Sequence, residues 1–105
     1  MSKPEVLIFV MDGCPACSTL KPLAEQMAAH YGQCVDTRFI DVDAESSFAD
    51  AMSIEETPTV IGVNPSKQPV CRMKGHDGKP ERLDQIYQTA LGTAVSCTVG
   101  PFRDV

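Results

Sequence analysis

Tryptophan is absent from this chain of 105 residues, histidine occurs twice, and nine Lys and Arg stand against fourteen Asp and Glu. A formal charge of −5 and a pI near 4.8 exclude nucleic acid or an anionic membrane surface as the main partner, because both demand basic patches and the basic residues here are scattered. No apolar run approaches the roughly 20 residues of a membrane span. The N-terminus lacks a basic segment followed by a long apolar core and a small-residue cleavage site, so a cytoplasmic protein is expected. Repeats and low-complexity segments are also missing. With 43% hydrophobic residues, the chain is read as one domain over 1–105, with a core over about 5–92 and a tail over 93–105.

Cysteine is what the sequence does have. Five is an odd number, which suits a reducing compartment with one cycling pair better than a fully bridged secreted scaffold. Only Cys14 and Cys17 are closely spaced. They follow the apolar run Val6–Met11 and precede a helical pattern opened by Pro15. Proline is favoured at the first helical position, so Cys14 falls at or beside the N-cap, where unpaired backbone N–H groups and the helix dipole lower a thiol's pKa. A thiolate is the species that attacks disulfides, and Cys17, one turn further in, is placed to resolve the mixed disulfide. Two other chemistries stay open on the spacing alone. The pair is half of a tetrahedral zinc site if Cys34, Cys71, Cys97, His30 or His76 supplies the other ligands, or it is two structural cysteines.

Val6–Met11 reads as a buried strand and Pro15–Tyr31 as a helix, with Ala16, Leu20, Leu23, Ala24, Met27 and Ala28 inward, a kink at Pro22 and Gly32 as its end. Val35–Val42 is a second strand. A short helix capped by Asp43 runs to Met52, with Phe48, Ala51 and Met52 inward. Thr59–Val63 and Gln68–Lys74 form a hairpin across Asn64–Lys67, and Pro80–Leu91 closes the core with Leu83, Ile86, Tyr87, Ala90 and Leu91 on one face. The tail folds back through Val95, Val99 and Phe102. Cys71 and Met11, Met27, Met52 and Met73 are read as core filler, and His30 and His76 as surface residues. Cys97 is the least settled, a candidate second resolving or regulatory thiol. The order βαβαββα predicts an α/β fold whose four-stranded mixed sheet is flanked by helices.

Over roughly Val6 to Leu91 the chain resembles the thioredoxin/glutaredoxin superfamily. Cys14 and Cys17 match its active-site pair, Pro22 its helix-kinking proline, and Ile40-Asp41-Val42-Asp43 the end of the next strand. Thr57-Pro58-Thr59 matches its threonine/cis-proline segment, and Gly75 the glycine after the last strand. The resemblance implies a thioredoxin-like fold with a minimal core, and a cis bond at Pro58 that turns the Thr57 backbone toward substrate. Pro15, Ala16, Thr57, Pro58, Gly75 and Asp77 are then substrate-binding positions. It implies thiol:disulfide exchange on protein substrates by a monomer without bound cofactor or metal, the electrons coming from thioredoxin reductase and NADPH or from glutathione. Family potentials run from about −270 to about −200 mV.

The departures matter as much. Gly13 stands where thioredoxins usually carry Trp, and Ile8 where they bury an Asp, so another base such as Asp12 or water must help Cys17. Ala16 replaces the Tyr of glutaredoxin's CPYC, and Glu55-Glu56 before Thr57 oppose the two carboxylates of glutathione. Gly75-His76-Asp77 nevertheless resembles the segment with which glutaredoxins hold glutathione. Three alternatives accompany the thioredoxin-like reading: a glutathione-dependent glutaredoxin, a zinc-binding or non-catalytic domain, and an iron–sulfur-bridged dimer.

Overall fold

A computed structural model describes residues 3–102. Seven elements follow one another: β1 Glu5–Val10, α1 Pro15–Tyr31, β2 Asp36–Asp41, α2 Ser46–Ala51, β3 Thr59–Val63, β4 Pro69–Lys74 and α3 Pro80–Leu91. The sheet order is β2-β1-β3-β4; β1 runs parallel to β2 and antiparallel to β3, and β3 antiparallel to β4. The expected βαβαββα order and mixed sheet are both present.

Hydrophobic content dictates who sits in the middle. β1 and β3 are apolar on both faces and occupy the two central positions, whereas β2 and β4 carry charged residues and lie at the edges. Val6 and Ile8 of β1 face α1 and α3 and join Leu20, Ala24, Met27, Tyr31, Leu83, Tyr87 and Val60 in the larger core. Leu7 and Phe9 face α2 and meet Ile40, Ala49, Ile61 and Val63. Each central strand is thereby sealed on both sides, and because β1 and β3 run antiparallel the C-terminal end of β1 and the N-terminal end of β3 lie at the same end of the sheet.

Several local expectations change. β2 is shorter than Val35–Val42, and only Ile40 within it is fully buried, because an edge strand covers one face. α2 begins at Ser46 after Glu45, not Asp43: the Asp41 carboxylate accepts from the N–H groups of Asp43 and Ala44 and makes a turn there first. The later start turns Ala49 inward with Phe48 and Met52 beside it, and leaves Ala51 exposed. Gln68 belongs to the turn, where Asn64 takes its N–H, rather than to β4. Met27 and Met73 are core residues, but Met11 is 41% exposed past the end of β1. The tail does return over the body, through Val99 and Phe102; Val95 points to solvent at 73% exposure. Residues 103–105 lie outside the described residues. Among the described residues no helix is long and apolar enough to cross a membrane.

Two features of the larger core carry predictions. Tyr31 and Tyr87 stack at 5.0 Å, and burial first of all pushes the Tyr87 phenol up to about 12. Its folded pKa lies above the ordinary value near 10, so the protonated ring's contribution is whole below about pH 10 and fades as pH rises toward 12. A loss of up to about 3 kcal/mol over that window is expected from urea titrations, and Tyr87→Phe flattens it. An equally steep loss in the phenylalanine variant would contradict the assignment. Gly62 sits opposite Cys71 in the β3/β4 ladder, and a Cβ on it would come within 2.6 Å of the Cys71 sulfur. Gly62→Ala is therefore expected to cost about 1–3 kcal/mol by overpacking, part of it regained when Cys71→Ala is added; additive costs in a double-mutant cycle would refute the contact.

Candidate active site

The loop after β1 turns sharply at Gly13, whose φ of +76° lies in the left-handed region that a side chain disfavours. The next residue, Cys14, is extended (φ −99°, ψ 104°) and caps α1, with Pro15 at the first helical position as expected. Its sulfur plays the role of a capping oxygen: the Cys17 N–H donates to Cys14 Sγ at 3.2 Å. A group that accepts an N–H at a helix N-terminus is stabilised as an anion, so the cap favours a thiolate once the site is reduced.

Cys14 and Cys17 are joined as a disulfide, with Cα atoms 5.2 Å apart. Their exposure differs. Cys17 is 6% exposed in the buried stripe with Leu20, Ala24, Met27 and Tyr31, while Cys14 is half-buried at the surface. A second loop reaches the same place from β3. Thr57–Pro58 is a cis peptide, Pro58 is buried, and the Thr57 carbonyl oxygen lies 3.6 Å from Cys14 Sγ. A third loop leaves β4 through Gly75, which donates its N–H to the Pro58 carbonyl at 2.8 Å. Cys14, Cys17, Thr57, Pro58 and Gly75, far apart in sequence, are thus gathered at one end of the sheet. Pro15 is exposed and Ala16 half-buried beside them.

Asp77 stands apart from this group in its chemistry. Its carboxylate accepts the Lys79 N–H at 3.0 Å, and that bond first of all holds it below the usual carboxylate range. The residue is a turn former at the entry to α3. His76, expected at the surface, has both ring nitrogens buried without a partner, and burial pushes its pKa down despite neighbouring Asp77. Of the acidic pair, Glu55 is offset by an exposed ion pair to Lys74 at 3.1 Å, so the repulsion expected of Glu55 and Glu56 falls mainly to Glu56.

Ile8 is fully buried, and among the described residues no Asp or Glu is buried in the core. A surface cleft of about 190 Å³ instead approaches Cys17 between Met11, Asp12, Lys21 and Asp41. Lys21 is not among the residues the sequence singles out, although it stands one helical turn beyond Cys17, and Asp41 is singled out only as part of the segment ending the second strand. Among the described residues no group of three or more His, Cys, Asp or Glu comes together to hold a metal ion. A single cycling pair was expected, but Cys34 and Cys97 are also bonded, leaving Cys71 free with its thiol pushed up by burial.

A thioredoxin family model matches residues 1–89. No curated protein sequence matches the chain. Among solved structures, the thioredoxin Mala s 13 from Malassezia sympodialis is 25% identical with a TM-score of 0.75, over 85% of this chain and 76% of that one. Spinach chloroplast thioredoxin f is 24% identical with a TM-score of 0.73, over 85% and 77%. Mitochondrial thioredoxin 3 from Saccharomyces cerevisiae is 19% identical with a TM-score of 0.73, over 84% and 79%. Both of these last two likenesses speak to the fold. Since the family model spans most of the sequence and the dithiol sits at the same kind of strand–helix junction that the fold supplies, this chain belongs to the thioredoxin family and is a protein-disulfide oxidoreductase.

Proposed function

We propose that the chain reduces disulfides in other proteins by dithiol exchange, with Cys14 as the attacking thiol and Cys17 as the resolving one. The observation that carries this reading is the asymmetry of the pair: a half-exposed, helix-capping Cys14 sulfur beside the Thr57 carbonyl, and a Cys17 that is 6% exposed. Solvent-borne substrate reaches the first sulfur and not the second.

In the reduced protein the Cys14 thiolate attacks one sulfur of a substrate disulfide; the other substrate sulfur leaves as a thiolate and takes a proton. An extended substrate segment lies against Thr57 and Pro58, whose backbone borders Cys14. Cys17 then loses its proton and attacks Cys14 Sγ. The second substrate sulfur leaves reduced, and the internal disulfide remains. With Ile8 in the core, the Cys17 proton passes to water in the cleft bordered by Asp12, Lys21 and Asp41. Cys14 Sγ is already held by the Cys17 N–H, so the two sulfurs stay close enough for this second step.

The electron donor we propose is a thioredoxin reductase using NADPH. Two features support it over glutathione: Asp77 is committed to the Lys79 N–H, and Glu56 stands next to Thr57. A coupled assay follows NADPH oxidation with insulin as substrate, once with thioredoxin reductase and once with glutathione and its reductase. Turnover in the first system is expected. Insulin reduction in neither system overturns the reading, and turnover only with glutathione reassigns the donor.

A further inference from the structure

The bond between Cys34 and Cys97 is not used in the exchange just described, and the molecule's length keeps it apart. α1 has 17 residues and spans about 26 Å; Cys14 caps its start and Cys34 follows its end. The active-site thiols therefore cannot reach this bond in their own molecule. It closes a sequence separation of 63 residues and ties the segment after α3 to the α1–β2 connection.

Three observations distinguish it from an inert staple. First, it is open to solvent from one side. Cys34 is 2% exposed, but Cys97 is only half-buried, and both line a surface cavity of about 490 Å³ bounded by Lys3, Pro65 and Val95. Secondly, the residue before Cys97 is held in an unfavourable conformation: Ser96 has φ +57°, a left-handed value uncommon for a side-chain-bearing residue. Thirdly, what lies beyond the bond has few ties of its own. The Gly100 carbonyl meets His30 Nε2 at 2.7 Å, and the Phe102 N–H donates to Tyr31 Oη and Asp84 Oδ1, both at 3.1 Å. The Phe102 ring stands edge-on to His30 at 5.7 Å, and Val99 rests on the larger core.

We propose that Cys34–Cys97 is a second redox site, a thiol-cleavable latch on the strap formed by residues 93–102. Its co-reactant is a thiol from solution, either a small monothiol or the dithiol of another protein. The thiolate attacks Cys97 Sγ, the more accessible sulfur. The Cys34–Cys97 bond breaks, Cys34 leaves as a thiolate and takes a proton from water, and a mixed disulfide remains on Cys97. A second thiol then attacks the reductant's sulfur, so Cys97 is released as a thiol and the reductant departs as a disulfide. Two electrons have passed to the protein. The Ser96 turn relaxes, and beyond Cys97 the strap is left with its hydrogen bonds to His30, Tyr31 and Asp84 and the apolar contacts of Val99 and Phe102.

The test uses the full chain carrying Cys14→Ser and Cys17→Ser, so that the bond reports alone, with the wild-type chain in parallel, peptide by peptide. Native protein is equilibrated with graded glutathione buffers, or with reduced wild-type chain as the protein dithiol, then alkylated and weighed. Cys34 and Cys97 are expected to gain their labels together in at least one arm, which identifies the reductant. On reduction the amides of residues 96–102 are expected to exchange roughly tenfold faster or more, with β1 and β3 unchanged. Three results overturn the proposal: labelling of both cysteines without any reductant, labelling only in denaturant, or strap amides that exchange alike in both states.

Discussion

A Cys14→Ser chain is expected to lose insulin reduction to background, a fall on the order of a thousandfold or more. The helix cap explains the size. What Cys14 gains from the Cys17 N–H and the start of α1 is stabilisation of its anion, and a thiol has an anion within reach at pH 7, whereas a serine hydroxyl does not. The backbone that borders the sulfur, Thr57 and Pro58, is untouched by the change, so substrate contact survives while the bond-forming step disappears. Cys17→Ser separates the two roles. Attack by Cys14 proceeds, but the buried position no longer carries a thiol to displace the substrate, and one mixed disulfide per chain accumulates until dithiothreitol releases it. Normal turnover by Cys14→Ser, or no trapped adduct with Cys17→Ser, would refute this division.

The second large effect concerns stability. Removing the Cys34–Cys97 bond is expected to cost about 4 kcal/mol, because a cross-link between residues 63 positions apart excludes many conformations from the unfolded ensemble. For a domain of this length that lowers the melting temperature by roughly 15–20 °C. Cys97→Ser and Cys34→Ala are expected to fall alike, even though one site is half-exposed and the other 2% exposed, since the loss originates in the unfolded chain. In the Cys14→Ser, Cys17→Ser background, reductant is expected to lower the melting temperature by the same amount, and to leave the variants lacking Cys34 or Cys97 unmoved. A melting temperature indifferent to reductant in that background would show that the bond does not form or does not constrain the chain.

The parts of the molecule legible in its sequence are those whose causes are local. The run into Cys14, Pro15 at the first turn of α1 and the inward stripe of α3 each follow from neighbours within one or two turns, and they lie where expected. Thr59–Val63 is bounded as expected because its apolar run ends at the Asn64 turn. Thr57–Pro58 differs: its cis form is expected from the likeness to a family, not from the pattern of neighbouring residues. α2 was misplaced through a competition between two aspartates, in which Asp41 captured the backbone donors that Asp43 was expected to organise. The exposure of Met11 and the part-burial of His76 depend on how loops from β1 and β4 settle at the sheet's end. Least legible of all is the partner of Cys97, because Cys34 lies 63 residues away and the two meet only where the tail crosses the core.

The odd thiol has its own consequence for how the chain matures. Cys71 rests in the space left by the missing side chain of Gly62, facing the Ile86 carbonyl at 3.8 Å, and burial keeps it protonated. In the folded chain it stands outside both bonds, and the other four cysteines could pair in three ways. α1 brings Cys14 and Cys17 within one turn of each other, so one of those connectivities is favoured before the tail arrives. Gly62 is thus what gives the fifth cysteine a berth between β3 and α3: a side chain there would press on its sulfur and push it from the place it holds apart from both bonds.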